Sequence, residues 1–246
     1  MNIINKIKEF FTPNNELDLK QENKSKMTSA ISTWLDMYQG KASRLSGADG
    51  IYSAGIEQTL TRSLKNKILS EATVEVTGDS DKANLLQETV NSLMHNLNNS
   101  LELGLVTGGL IIKPYIKSES IGIDFVSQGK YIPFAFDDDG NLTDVGFVSQ
   151  LKKGKRIYTK IERHTLEDNN YLITNKAYRD DKEIPLNEIE EWANIDEEMR
   201  LNSTFNLYGI YRVPLANTVD INSPMGISFY EPAKQLIELA DKQLSR

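Results

Sequence analysis

The chain has 246 residues, of which 28 are Lys or Arg and 35 are Asp or Glu, so its formal net charge is −7, and it has no cysteine. The absence of cysteine excludes disulfides, thiolate nucleophiles, zinc fingers and iron–sulfur ligation. An acidic balance disfavours tight electrostatic binding of nucleic acid. Hydrophobic residues make up 39% of the chain, enough for a buried core, but none of its apolar stretches reaches the roughly 20 residues of a membrane span.

The first 26 residues are predicted to form an arm and a linker ahead of the globular domain. Residues 12–26 are polar, contain Pro13 and show no periodicity, which is typical of a linker. Before them, apolar residues at helical spacing predict a short amphipathic helix. Its apolar residues are Ile3, Ile4, Ile7, Phe10 and Phe11. We therefore expect the main domain over residues 27–246.

Helical periodicity dominates residues 27–104. Apolar patterns predict three helices, the first over residues 28–39, the second around residues 56–68 and the third around residues 86–101. This part of the chain is therefore expected to be a helical layer.

The segments next to the third helix carry their own signals. Asp79 or Ser80 can cap its start, and the valines of residues 74–76 predict a brief strand before it. Gly108 and Gly109 come after the helix and before a strand, which is the reverse of the order in a phosphate-binding loop. We expect them to supply a left-handed helix end and no nucleotide site.

Residues 105–216 are predicted to be rich in β-strands. Apolar residues alternate with polar ones, and residues 137–141 and 152–156 carry hairpin-turn signals. A further strand is expected over residues 207–216. Short strands joined by turns predict an antiparallel meander, and with the helices they give an α+β fold.

Residues 184–200 are predicted to form an acidic helix with Ile189 and Trp192 on its buried face. Its acids are Glu188, Glu190, Glu191, Asp196, Glu197 and Glu198. A pair of carboxylates across a pocket could act as acid and base in a hydrolase. A solvated helix face is the preferred interpretation, and an acid–base hydrolase is the least favoured alternative.

The histidines and the aspartate-rich turn do not form a recognisable catalytic or metal site in the sequence. His95 is expected to be exposed on its helix, and His164 to lie on a solvated strand face. A calcium loop starting at Asp137 would need glycine at its sixth position, where Leu142 stands. We therefore predict no catalytic residue, no metal ligand and no cofactor.

One basic cluster occurs, in the turn at residues 152–156. A basic hairpin can contact the phosphate backbone of DNA without reading its sequence, although solubility alone would also place such residues in a turn. The candidate nucleic-acid contacts are Lys152, Lys153, Lys155 and Arg156.

Residues 223–246 are predicted to form a long helix. Ser223 and Pro224 fit a cap and first helical position, or Ser228 and Glu231 form a capping box. The apolar periodicity runs to Arg246 without a terminating glycine, so we expect the helix to continue beyond it.

The stretch from Tyr208 to Ala233 closely resembles the portal proteins of tailed bacteriophages, especially those of siphophages and related prophages. Residues 105–114, 134–147 and 158–164 are similar to the same family. The motif residues within the first stretch, expected to be structural, are Asn217, Asp220, Ser223, Pro224, Gly226 and Ser228.

The resemblance implies a structural, non-enzymatic subunit of the head–tail connector. Such subunits form a ring of about a dozen copies at the portal vertex of the virion, assembled in the bacterial cytoplasm. Double-stranded DNA is packaged and ejected through the ring. The implied partners are further copies of the chain, terminase, scaffold and capsid proteins, head-completion proteins and non-specifically bound DNA, with no membrane.

In this family, residues 27–246 would correspond to the wing, and the helix of residues 223–246 would lead to a stem that this sequence lacks. An acidic wall suits a channel that must not hold DNA tightly. A carbohydrate- or protein-binding β-module of a phage tail is the second functional class that the sequence leaves open.

Overall fold

A computed structural model describes residues 17–41, 52–117, 120–167, 170–180 and 182–245. The expected α+β class is confirmed. The chain divides into two compact units: the first contains Lys130–Leu207, and the second contains Asn23–Gly129 together with Tyr208–Arg246. The sequence predicted a single domain with a helical and a β-rich part. The units instead follow the two sheets, because the chain enters the first unit after residue 129 and leaves it before residue 208.

The helices are α1 Leu17–Tyr38, α2 Ile56–Glu71, α3 Asp81–Thr107 and α4 Lys234–Leu244. The strands are β1 Gly109–Lys117, β2 Ser120–Ser127, β3 Tyr131–Phe136, β4 Leu142–Lys153, β5 Arg156–Glu167, β6 Asn170–Arg179, β7 Lys182–Ile184, β8 Glu198–Asn202 and β9 Gly209–Arg212.

Helix α1 begins at Leu17, inside the stretch predicted to be a linker, so that prediction was wrong from residue 17 onwards. The polar residues 18–26 include Lys, Gln and Glu, which have high helix propensity even without an apolar stripe. The predicted amphipathic helix at residues 3–11 lies outside the described residues.

The first unit is built on a sheet with the strand order β3-β4-β5-β6-β7, in which β8 also pairs with β6. Every pairing is antiparallel. The predicted meander and both hairpin turns are confirmed. Asp137 closes the first turn, since its carboxylate accepts hydrogen bonds from the Asn141 backbone amide at 2.7 Å and side-chain amide at 3.0 Å.

The predicted acidic helix at residues 184–200 was wrong. Two 3-10 turns, Leu186–Glu188 and Glu190–Trp192, lead into strand β8. Apolar residues recur here every third position, which is the period of a 3-10 helix rather than of an α-helix. They pack against Ala177, and the buried ones are Leu186, Ile189 and Trp192.

The second unit combines a three-stranded sheet, in the order β2-β1-β9, with the helices. Helix α3 begins at the expected cap, where Ser80 accepts a hydrogen bond from the Ala83 amide at 3.2 Å. It ends at Gly108, whose φ of 94° is the expected left-handed conformation. The strand predicted at residues 74–76 is absent, since that segment has no regular secondary structure.

Helix α4 starts eleven residues later than the predicted start at Ser223, after a 3-10 turn, Glu231–Ala233. The expected capping box does not form, because the Glu231 carboxylate accepts a hydrogen bond from the Trp34 indole. Trp34 is fully buried in a cluster with Met27, Ile227 and Ile237. No helix in the described part of the chain is long and apolar enough to cross a membrane.

Candidate functional site

Residues 105–114 and 208–233, two of the stretches on which the expected portal resemblance rests, meet at a pair of glycines in the second unit. A Cβ atom on Gly226 would lie 1.9 Å from the carbonyl oxygen of Gly108, and one on Gly108 would lie 2.4 Å from that of Gly226. The Phe229 amide donates to the Leu105 carbonyl at 3.1 Å. The end of α3 and the loop before α4 are therefore in direct backbone contact, which glycine alone permits.

Gln128 joins the same two segments. Its side-chain amide donates to the Thr107 carbonyl at 2.8 Å and to the Gly226 carbonyl at 2.7 Å, and Gln128 is 1% exposed. A buried carbonyl without a donor costs about 1–3 kcal/mol. Gln128 therefore satisfies two such groups at once.

Asn217 organises the loop that contains the other motif residues. Its carbonyl oxygen accepts from the amides of Val219 at 3.0 Å and Asp220 at 2.9 Å, while its Nδ2 donates to the carbonyls of Met225 at 3.0 Å and Ser223 at 3.4 Å. These bonds hold backbone groups that a helix from residue 223 would need for its own ladder.

The remaining motif residues lie in the same loop. Asp220 is 5% exposed and accepts from the Asn222 amide at 3.2 Å. Ser223 accepts from the Met225 amide at 3.3 Å, Ser228 is fully buried and Pro224 is half-buried. The six residues therefore lie together in the loop before α4.

The other two similar stretches meet in the first unit. The guanidinium of Arg163 pairs with Asp144 through two hydrogen bonds, one of 2.9 Å from Nε, and lies 4.6 Å from the ring centroid of Phe134. Arg163 and Asp144 lie on neighbouring strands β5 and β4. A two-bond guanidinium–carboxylate pair fixes the relative position of its partners more strongly than a single contact would.

His164 contradicts the expectation of a solvated strand face. It is 5% exposed, and its ring lies edge-on to Phe147, 5.0 Å between centroids. Its Nδ1 is 2.7 Å from the Tyr171 hydroxyl, and its Nε2 is 2.7 Å from Glu162 Oε1. The sequence alternation missed this because both faces of β5 are covered.

Both ring nitrogens of His164 therefore have a hydrogen-bonding partner. Tyr171, the partner of Nδ1, is fully buried, and burial raises the pKa of its hydroxyl, which keeps its proton at neutral pH.

The basic cluster forms one hairpin tip. Lys153, the last residue of β4, is directly opposite Arg156, the first residue of β5. Lys155 lies in the turn between them, beside Gly154, whose φ is 63°. All four basic residues are exposed. Lys153 forms a 2.5 Å ion pair with Glu191, and this hydrogen bond lowers the pKa of Glu191. The other three make no ion pair within the described residues.

The acids proposed for hydrolysis are all exposed. Glu197 and Glu198 line a cavity of about 470 Å³ with Glu183 and Asn175, among other residues, and none of its lining residues is aromatic. Glu188 instead pairs with Arg179 at 3.2 Å. The acids are therefore all in exposed environments, without the contrast between a buried and an exposed carboxyl that such a pair needs.

One polar contact between helices was not predicted from the sequence. Glu102 on α3 accepts from the Tyr38 hydroxyl of α1 at 2.5 Å and from Lys65 of α2 at 3.2 Å. Burial and the neighbouring carboxylate raise the pKa of Tyr38 to about 12. Burial would raise the pKa of Glu102, but the hydrogen bonds from Tyr38 and Lys65 outweigh it and lower that pKa.

Within the described residues, no group of three or more His, Asp or Glu side chains could hold a metal ion. Compared with models of protein families and with curated protein sequences, the chain gives no significant match.

Proposed function

We propose that this chain is a structural subunit of a tailed-phage portal, the ring at the head–tail connection through which double-stranded DNA is packaged and ejected. The proposal assigns the chain no catalysis and no cofactor. Its location would be the portal vertex of the virion, after assembly in the host cytoplasm.

One observation carries the proposal. Residues 105–114 and 208–233, two of the stretches that resemble portal proteins, lie far apart in sequence but meet at the two glycines. Residues 134–147 and 158–164 meet at the pair between Asp144 and Arg163, but they belong to consecutive strands of one hairpin, which pair in any case. The first meeting supports the proposal, because chance similarities far apart on a chain would have no reason to come together.

The charge distribution agrees with weak rather than tight contact with DNA. The chain has a net charge of −7, and Lys152, Lys155 and Arg156 form a small exposed basic tip. Each neutralised phosphate adds to a salt-dependent affinity, so three cations give a contact that a moving duplex can leave.

Ring formation is tested with the full-length gene product. Electron microscopy and mass measurement should show closed rings of about a dozen copies, since one repeated heterologous contact closes a ring. A product that stays monomeric under all assembly conditions would overturn the proposal. Purification should also recover the partners that the family implies, which are terminase, scaffold, capsid and head-completion proteins.

DNA contact has a separate test. Reversing the charge of Lys152, Lys155 and Arg156 to Glu should lower the efficiency of packaging in an assembled system. Lys67→Glu is the control, because Lys67 is an exposed lysine of the other unit whose ion pair within the described chain is with Glu71 on its own helix. If both variants package as well as the unaltered chain, the basic hairpin serves solubility alone.

A further inference from the structure

Strand β2 forms an edge of the three-stranded sheet and has no partner on its outer side among the described residues. It is eight residues long and reads Ser-Ile-Gly-Ile-Asp-Phe-Val-Ser, with one charge and no proline. Long apolar edge strands of this kind readily pair with another strand.

The hydrogen bonds at the start of the sheet identify which residues of β2 face outward. The backbone amide of Gln128 donates to the Gly109 carbonyl at 2.9 Å, and Leu110 is opposite Ser127 in the β1–β2 register. Because hydrogen-bonding direction alternates along an antiparallel pair, the even-numbered residues of β2 bond to β1. The outer edge therefore presents the N–H and C=O groups of Ile121, Ile123 and Phe125.

The other free edges in the described chain are protected against pairing. On β1, strand β9 stops opposite Ile112, and the next outward residue is Pro114, which has no N–H. Edge strand β3 contains Pro133 and register irregularities, β7 has three residues and β9 has four. Edge strand β8 is short and carries Glu198 and Arg200. Strand β2 has no proline and no register irregularity, it is longer than β7, β8 and β9, and Asp124 is its single charge.

We propose that β2 pairs antiparallel with β2 of a second copy of this chain, centred on Ile123. The two sheets then join into one continuous sheet through about six additional backbone hydrogen bonds. This pairing does not depend on the proposed portal function, since it follows from the strand edge alone.

Charge and overlap select the register. With Ile123 opposite itself, residues 120–126 of both copies overlap, Ile121 faces Phe125, and Asp124 faces Gly122. Centring on Asp124 would put two like charges directly opposite each other, which is destabilising. Centring on Ile121 or Phe125 shortens the overlap. The strand is thus self-complementary in one register.

A cysteine substitution tests this register directly, because the natural chain has none. In the proposed pair, the two Cα atoms of residue 123 lie about 5.5 Å apart, which suits a disulfide. Ile123→Cys should therefore form a covalent dimer under mild oxidation. Ser120→Cys is the matched control: its two copies would be separated by roughly 20 Å, and it should stay monomeric on a non-reducing gel.

A proline tests the hydrogen bonds. The Ile123 amide points away from β1, so Ile123→Pro removes an outward donor without breaking a bond of the β1–β2 ladder. Light scattering should show dimers for the natural chain and for Ile123→Val, and monomers for Ile123→Pro with an unchanged circular-dichroism spectrum. Equal cross-linking of the two cysteine variants, or a natural chain that is monomeric at high concentration, would overturn the proposal.

Discussion

Gly108 and Gly226, 118 positions apart in sequence, are packed so closely that neither can carry a side chain. Each Cβ would meet backbone atoms, which cannot move aside as a flexible side chain can. The contact joins the end of α3 to the loop before α4, and so it fixes the path of that loop.

Gly226→Ala should therefore destabilise the protein by about 3 kcal/mol or prevent folding, because the added methyl group overlaps the Gly108 carbonyl. Chemical denaturation measures the loss in free energy of unfolding. Gly209→Ala is the matched control, since a Cβ there meets nothing within 4 Å. Equal stability of the two variants would contradict the observed packing.

Gln128→Leu should cost roughly 2–3 kcal/mol, because it leaves the carbonyls of Thr107 and Gly226 buried without a donor. Gln150→Leu makes the same exchange at an exposed position and should change the free energy of unfolding little. Urea denaturation of both variants gives the comparison.

Asn217→Asp separates the contribution of the hydrogen bonds that the Asn217 side chain accepts from that of the hydrogen bonds it donates. The aspartate keeps the acceptor for the amides of Val219 and Asp220 but loses the donor to the carbonyls of Ser223 and Met225. It also places a second carboxylate beside Asp220. We expect a loss of roughly 1–3 kcal/mol and faster proteolysis within residues 217–226. An Asp variant as stable as the natural chain would show that these donor bonds contribute little.

Tyr38 should make stability depend on alkaline pH. Its pKa is raised from about 10 in the unfolded chain to about 12 in the folded one, by burial and by the Glu102 carboxylate. A raised pKa contributes stability that is complete below pH 10 and lost as the pH rises towards 12. Tyr38→Phe should reduce this loss between pH 9 and 12, and it should cost roughly 1–2 kcal/mol at neutral pH. Tyr52→Phe, at a tyrosine that is 76% exposed, is the control.

Much of the local structure could be predicted from the sequence. The alternating strands around the turn at Asp137, the cap at Ser80 and the left-handed end at Gly108 all depend on neighbouring residues, so short-range patterns identify them. The 3-10 turns before β8 were misassigned, because their three-residue apolar period resembles that of an amphipathic α-helix over so short a stretch.

The candidate site likewise contains residues that the sequence could identify and residues that it could not. Sequence alone identified the exposed basic turn at residues 152–156 and the motif residues from Asn217 to Ser228, because both sets are contiguous. It did not identify Gln128, Arg163 or the burial of His164. Their partners lie on other strands or on segments far away in the chain, and only the fold brings a donor to those buried groups.

By itself, then, the sequence determined the α+β class, most elements and the basic hairpin. The tertiary structure decided where helix α4 begins, since the Glu231 carboxylate that would cap an earlier start is hydrogen bonded to Trp34. It also decided that Gly108 meets Gly226 and that β2 is the least protected edge among the described strands. Contact between distant backbone groups depends on the path of the chain, and no local pattern of residues encodes it.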